Sequence, residues 1–160
     1  MNKFFYVLCL VVGVSVGFNA CTNTTLIDEY APIENAKWTY TQVPKFEVNI
    51  TDTSKQYNLY LNIRNEGNYK YNNIYLLFHI TTPNKQESTN RFNFKLANNQ
   101  GQWYGKSGIG DLYDCQITIG KGMKFTQKGI YTFAIEQNMR QNPLEGITDI
   151  GIKIEPWNQK

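Results

Sequence analysis

Residues 57 to 64 read YNLYLNIR, which places Tyr57, Leu59, Leu61 and Ile63 on one side of an extended chain and Asn58, Tyr60, Asn62 and Arg64 on the other. A period of two is the spacing at which a strand sends alternate side chains to opposite faces. The stretch is therefore expected to be a half-buried strand, and the same pattern recurs on both sides of it.

Upstream, Trp38 and Tyr40 begin the alternation, and Phe46, Val48 and Ile50 continue it after Pro44. Asp52 and Ser54 in the connector from Thr51 to Gln56 are turn residues, so this strand and the YNLYLNIR strand are expected to pair as an antiparallel hairpin. Downstream lies the densest apolar run, NIYLLFHITT from Asn73 to Thr82, expected to be central, with Ile74, Leu76, Phe78 and Ile80 on one face. Further strands are expected over Ser88 to Leu96, Asp111 to Ile119, Gly129 to Gln137 and Ile147 to Glu155, with Gly120 and Gly122 ending the third from last. The four glycines of Ala97 to Gly110 mark a loop. One helical turn over Gln137 to Arg140 is the sole helical expectation. Seven or eight short strands with turn signals between them define an all-β domain, a single antiparallel β-sandwich of immunoglobulin-like or jelly-roll kind.

In front of this domain stands MNKFFYVLCLVVGVSVGFNAC, Met1 to Cys21: one lysine, an apolar run, then Ala20 and Cys21. The run is too short and too weak at its end for a spanning helix. A small residue followed by cysteine is the pattern of a lipoprotein signal, in which the cysteine thiol takes a diacylglycerol before cleavage makes it the new N-terminus. Residues 1–20 are read as that signal, Cys21 as the lipidation site, residues 21–36 as a lipidated tether rich in Thr and Asn, and residues 37–156 as the folded domain.

Cysteine usage agrees with this. There are three cysteines; Cys9 leaves with the signal, and with Cys21 acylated Cys115 has no partner and falls at a core position of its strand, where it is expected to behave as a small apolar residue, the rival being a Cys21 to Cys115 disulfide in an unacylated protein. The formal net charge is +3, one unit of which is Lys3 in the signal, and the basic residues are scattered. Nucleic acid is excluded as a partner on that balance.

Catalytic and cofactor chemistry finds little support. A single histidine, His79, lies on the strand face opposite Phe78 and Ile80, so neither a zinc site nor a hydrolytic triad is expected. Asp111 and Asp114 are three apart on a strand and so face opposite ways. The glycines from Gly105 to Gly110 precede a strand rather than the helix a phosphate loop requires. No enzyme activity, metal or cofactor is expected. Aromatic residues make up 14% of the chain, and Tyr69, Tyr71, Trp103 and Tyr104 in or beside loops define an alternative reading as a carbohydrate-binding surface lipoprotein that stacks sugars on exposed rings, against the commoner arrangement in which such rings fold back over the end of a sandwich with the hydroxyl reaching water.

Three runs carry a resemblance: Gln56 to Phe78, Ser107 to Phe125 and Gly129 to Glu155. Together they resemble the gliding-motility-associated lipoprotein family GldH of the Bacteroidetes, most specifically in Gly108 to Asp114 and in the block from Glu136 to Gly151. The resemblance implies a non-enzymatic envelope lipoprotein, an adaptor or accessory component associated with the gliding apparatus and the linked secretion machinery. Its expected partners are the membrane, through the lipid, and other envelope proteins of that apparatus. The expected location is the outer membrane, lipid-anchored on the periplasmic face. The expected partner surface combines Gly105 to Asp114 with Asn138 to Gly146, with Gly108, Gly110, Asp111, Tyr113, Asp114 and Arg140 as its candidate residues.

Overall fold

In the structure, a computed structural model that describes residues 25 to 157, alternation in the sequence becomes burial along strands. The expected signal, Cys21 and the first residues after it lie outside the described residues. The strands are β1 (Ile27–Pro32), β2 (Lys37–Trp38), β3 (Lys45–Ile50), β4 (Tyr57–Glu66), β5 (Asn73–Thr81), β6 (Glu87–Lys95), β7 (Lys106–Ser107), β8 (Leu112–Met123), β9 (Gly129–Gln137), β10 (Leu144–Glu145) and β11 (Ile147–Pro156). A 3-10 turn, Glu34–Ala36, precedes β2.

Every pairing is antiparallel. One sheet runs β1-β11-β4-β8-β7, a second runs β3-β9-β5-β6, and β10 pairs with β2 in a short ribbon. Among the eight longer strands the partners are nested: first with last (β1 with β11), second with seventh (β3 with β9), third with sixth (β4 with β8), fourth with fifth (β5 with β6).

The inner faces of both sheets contribute to one buried cluster. Leu59, Leu61, Ile63, Ile150, Ile152 and Ile154 come from the first sheet, and Val48, Ile50, Ile74, Leu76, Phe78, Phe133 and Ile135 from the second. Each such side chain contributes about 1.5–3 kcal/mol when fully removed from water, so this cluster is the main source of cohesion. Tyr57, Phe125, Tyr131 and Phe133 close one end of the core, with ring centroids 5.5, 4.8 and 6.4 Å from that of Phe125. Trp38 is fully buried and donates its indole N–H to the Gln42 carbonyl at 2.7 Å. Cys115 is a buried free thiol, in keeping with its core position in β8.

Four expectations are corrected. The tether expected over 21–36 is cut short, because Ile27–Pro32 forms β1 and pairs with β11 along its whole length. Its polar composition hides it because an edge strand is held by backbone hydrogen bonds while much of its surface stays wet. The hairpin expected across Thr51 to Gln56 does not form: β3 belongs to the second sheet and β4 to the first, so the connector crosses between sheets. Gly120 and Gly122 do not end β8, which runs on to Met123 through an irregular register opposite Tyr57 and Leu59. No helical turn occupies Gln137 to Arg140, since Gln137 closes β9 and a bend follows.

The first sheet has two distinct ends. The chain enters at Ile27, opposite Ile154, which is itself opposite Leu59. Connections 67–72, 96–111 and 138–146 gather at the other end, where β4 finishes at Glu66 opposite Leu112 and β11 begins at Ile147. Leu59 and Glu66 are seven residues apart on β4, about 23 Å at the rise of a strand.

Candidate functional site

At the loop end, the backbone of Glu66 and Gly67 stitches the two expected partner loops to one support. Glu66 donates its N–H to the Gly146 carbonyl at 2.9 Å, and Gly67 donates to the Asp111 carbonyl at 2.8 Å. The 67–72 connection therefore lies between the Gly105–Asp114 loop and the 138–146 loop. Gly146 has φ +89 and packs against the backbone of Tyr69, a position that admits no side chain without strain.

Aromatic rings bind the same end together. The Tyr69 ring lies 5.6 Å from Tyr71 and 6.2 Å from Trp103, and Trp103 lies 5.8 Å from Tyr113. Tyr69 is buried and donates its hydroxyl to the Asn73 carbonyl at 3.1 Å; burial, then the neighbouring Tyr71, pushes its phenol above the usual range. Tyr71 donates to the Gln141 side chain at 3.0 Å, tying the 67–72 connection to the 138–146 loop. Of the two arrangements open to these rings the structure takes the packed one for three: Tyr71 and Trp103 both pack on Tyr69, and Tyr104 alone of the four stands exposed, at 58%.

The expected residues divide in the structure. The Gly108 N–H bonds the Leu112 carbonyl at 2.7 Å and closes the loop tip, while Gly110 and Asp111 take positive φ to turn it. Between them Ile109 is 95% exposed. Tyr113 is half-buried against Trp103. Asp114 is not offered at the tip at all. It lies on the outer face of the first sheet, where Arg64 donates to it at 3.1 Å and the Tyr30 hydroxyl bonds both its oxygens.

Arg140 is exposed in the bend after β9, and that bend is shaped by the buried side chain of Gln137. Its Nε2 donates to the Gln141 carbonyl at 3.2 Å, and its Oε1 accepts from the Met139 N–H at 2.9 Å. Tyr40 reinforces the bend by donating its hydroxyl to the Met139 carbonyl at 2.7 Å. Gly108, Gly110, Asp111 and Arg140 thus share one end of the molecule, whereas Asp114 serves another face.

Sequence reasoning passed over Arg91, took Ile109 only as part of its loop, and named Tyr104 only as a sugar-stacking ring. For Ile109 a signal existed, an apolar β-branched residue between two glycines with no alternating neighbour. For Arg91 none did, because its role depends on what the strand alongside and the bend after β9 bring to it.

Among the described residues no group of three His, Cys, Asp or Glu side chains converges to hold a metal. His79, half-buried on the outer face of the second sheet, meets Thr89 at 2.8 Å and Glu136 at 3.4 Å. No helix among the described residues is long and apolar enough to cross a membrane.

A family model described as GldH lipoprotein matches residues 25–154. A gliding motility lipoprotein GldH homolog of Christiangramia forsetii is 31% identical over 97% of this chain and 98% of its own. The gliding motility lipoprotein GldH of Flavobacterium johnsoniae is 32% identical over 85% of this chain and 87% of its own.

Proposed function

The chain belongs to the GldH lipoprotein family, and on that premise we propose that it is a non-enzymatic adaptor lipoprotein of the cell envelope, serving the gliding motility and linked secretion machinery. Diacylglycerol on Cys21 anchors it in the outer membrane, with the domain on the periplasmic face. Five residues lie between Cys21 and Ile27, six steps that span at most about 21 Å of chain, so the domain sits close to the bilayer rather than on a long tether. Thr22 follows the cysteine, and the nearest acids, Asp28 and Glu29, belong to β1 rather than to a free segment beside the lipid.

One observation carries the adaptor reading: β1 enters the first sheet at the end opposite the loop cluster. A lipid attached just before β1 then turns Ile109, Tyr104 and Arg140 away from the membrane, towards anything that reaches down to it. Ile109 stands exposed on a glycine-built tip and adds nothing to the core, and we read it as a docking residue. The nested strand pairing is that of one long hairpin rolled up on itself, and we read the two sheets as a jelly-roll sandwich rather than an immunoglobulin-like one. The sugar-binding alternative draws little support from rings that pack on each other.

The test is site-specific photo-crosslinking in living cells. A photoreactive side chain at Ile109 should give a discrete crosslinked protein partner, whereas the same group at Ile130, exposed on β9 near the opposite end, should not. Equal products from both positions, or none from Ile109 with the lipoprotein present at normal level, would overturn the reading.

A further inference from the structure

The chain carries three arginines among its sixteen Lys and Arg residues. Arg64 is spent in ion pairs with Asp114 and Asp149. The other two, Arg91 of β6 and Arg140 of the bend after β9, line one cavity of about 380 Å³ with Tyr71, Tyr75, Asn138 and Met139. They come from positions 49 residues apart, and no carboxylate lines that cavity. Among the described residues neither arginine forms an ion pair. The nearest acid in register, Glu136 of β9, stands across Leu77 from Arg91 and meets His79 at 3.4 Å.

Arg91 is held ready rather than free. Its guanidinium lies over the Tyr75 ring at 4.2 Å, and its Nε donates to the Asn138 side chain at 2.7 Å. Those two contacts fix the plane of the fork and use one of its five donors. The Asn138 N–H bonds the Tyr75 carbonyl at 2.8 Å, and Met139 sulfur receives the Tyr75 N–H at 3.2 Å, so the bend that carries Arg140 is fastened to the strand that carries the stacking ring. The walls between the two cations are therefore aromatic and thioether surface. A guanidinium stacked on a ring, with its outer edge unpaired, is suited to bidentate recognition of a carboxylate.

We propose that this cavity binds an acidic peptide segment of a partner protein, one Asp or Glu carboxylate spanning Arg91 and Arg140 and a neighbouring apolar side chain lying on Tyr71 and Met139. The inference rests on the adaptor reading, and it names the chemistry the partner must present. The volume falls within the range of small-ligand pockets, sufficient for one or two side chains and too small for a folded surface. Charge complementarity selects the occupant, since two unpaired cations in an acid-free lining attract an anion and repel a basic segment.

The test uses the full-length lipoprotein in detergent micelles and a fluorescein-labelled peptide of alternating Asp and Phe, followed by fluorescence anisotropy against its Asn and Phe counterpart. Saturable binding of the acidic peptide alone is expected. Arg140→Gln and Arg91→Gln should each weaken it about tenfold or more, a loss of about 1.4 kcal/mol, and Arg140→Lys should recover only part of the loss, with near-ultraviolet circular dichroism unchanged in all three. Equal binding of both peptides, or wild-type affinity in the folded Gln variants, would overturn the proposal. So would displacement by inorganic phosphate where sodium chloride of the same ionic strength has no effect, since the cavity would then take oxyanions at large. A partner crosslinked from Ile109 without peptide binding would sink this inference and leave the adaptor reading standing. Peptide binding without a crosslinked partner would do the reverse.

Discussion

Tyr30 of β1 donates its phenolic proton to Asp114 of β8, at 3.0 and 3.1 Å from the two carboxylate oxygens, although β11 and β4 lie between those strands. The ring reaches that far because Gly151 of β11, directly opposite Tyr30, has no side chain to lift it off the sheet. On the way the ring passes beneath the guanidinium of Arg64, 4.2 Å from its centroid, which itself bonds Asp114. One tyrosine therefore fastens the edge strand that follows the lipid anchor to the body of the sheet.

Tyr30→Phe removes a hydrogen bond to a charged group and should cost about 1–2 kcal/mol, reduced from the buried value by the partial exposure of the pair. Burial, then the hydrogen bond and charge of Asp114, push the Tyr30 phenol up to about 12 from an ordinary 10.0. A raised phenol stabilises the fold below pH 10 and loses that contribution as pH climbs from 10 through 12, because the unfolded chain ionises first. Urea midpoints measured from pH 8 to 11.5 should fall, and the fall should be shallower in Tyr30→Phe. Parallel curves for the two proteins would show that the hydroxyl carries no linkage.

Gly151→Ala puts a methyl group against the Glu29 carbonyl and the Tyr30 ring. Backbone cannot yield as a flexible side chain does, so β1 should be displaced at a cost of about 1–3 kcal/mol. Limited proteolysis should cut between Cys21 and Lys37 in the variant and spare the wild type. Equal cleavage would mean that β1 tolerates the methyl group in place.

Cys115 is buried, and burial followed by the charge of Asp114 raises its thiol, so the thiolate needed for reaction is scarce in the folded state. Disulfide-exchange titration of the mature lipoprotein should find no fast thiol when folded and one per chain in urea. Two thiols in urea would mean that Cys21 carries no lipid. Cys115→Ser should lower stability by about 1–3 kcal/mol, since a hydroxyl without a partner is costlier to bury than a thiol.

Metabolic labelling with a palmitate analogue should mark the wild-type protein and leave Cys21→Ala unmarked, with the variant recovered at the higher mass of a chain that keeps residues 1–20, since cleavage follows acylation. Equal label on both would end the lipid-anchor proposal and, with it, the orientation argued for the loop end.

Alternation read along the chain alone sets the period of every long strand but one, the inward faces of the core and the turn-rich loop around Gly108. It does so because alternation along a strand is a local property, written in neighbours two residues apart. It misses β1, whose polar residues look unfolded until β11 supplies an edge to pair with, and it pairs β3 with β4 because nearness in sequence cannot reveal a crossing between sheets. Around the candidate site, local pattern marks the glycine tip and the stretch that carries Arg140 as connections between strands, yet it cannot reveal that Asp114 belongs to Tyr30 and Arg64, or that Arg91 and Arg140 share a cavity. Those relations join residues 49 to 84 positions apart, and only the nested antiparallel pairing brings such distant stretches to hydrogen-bonding range.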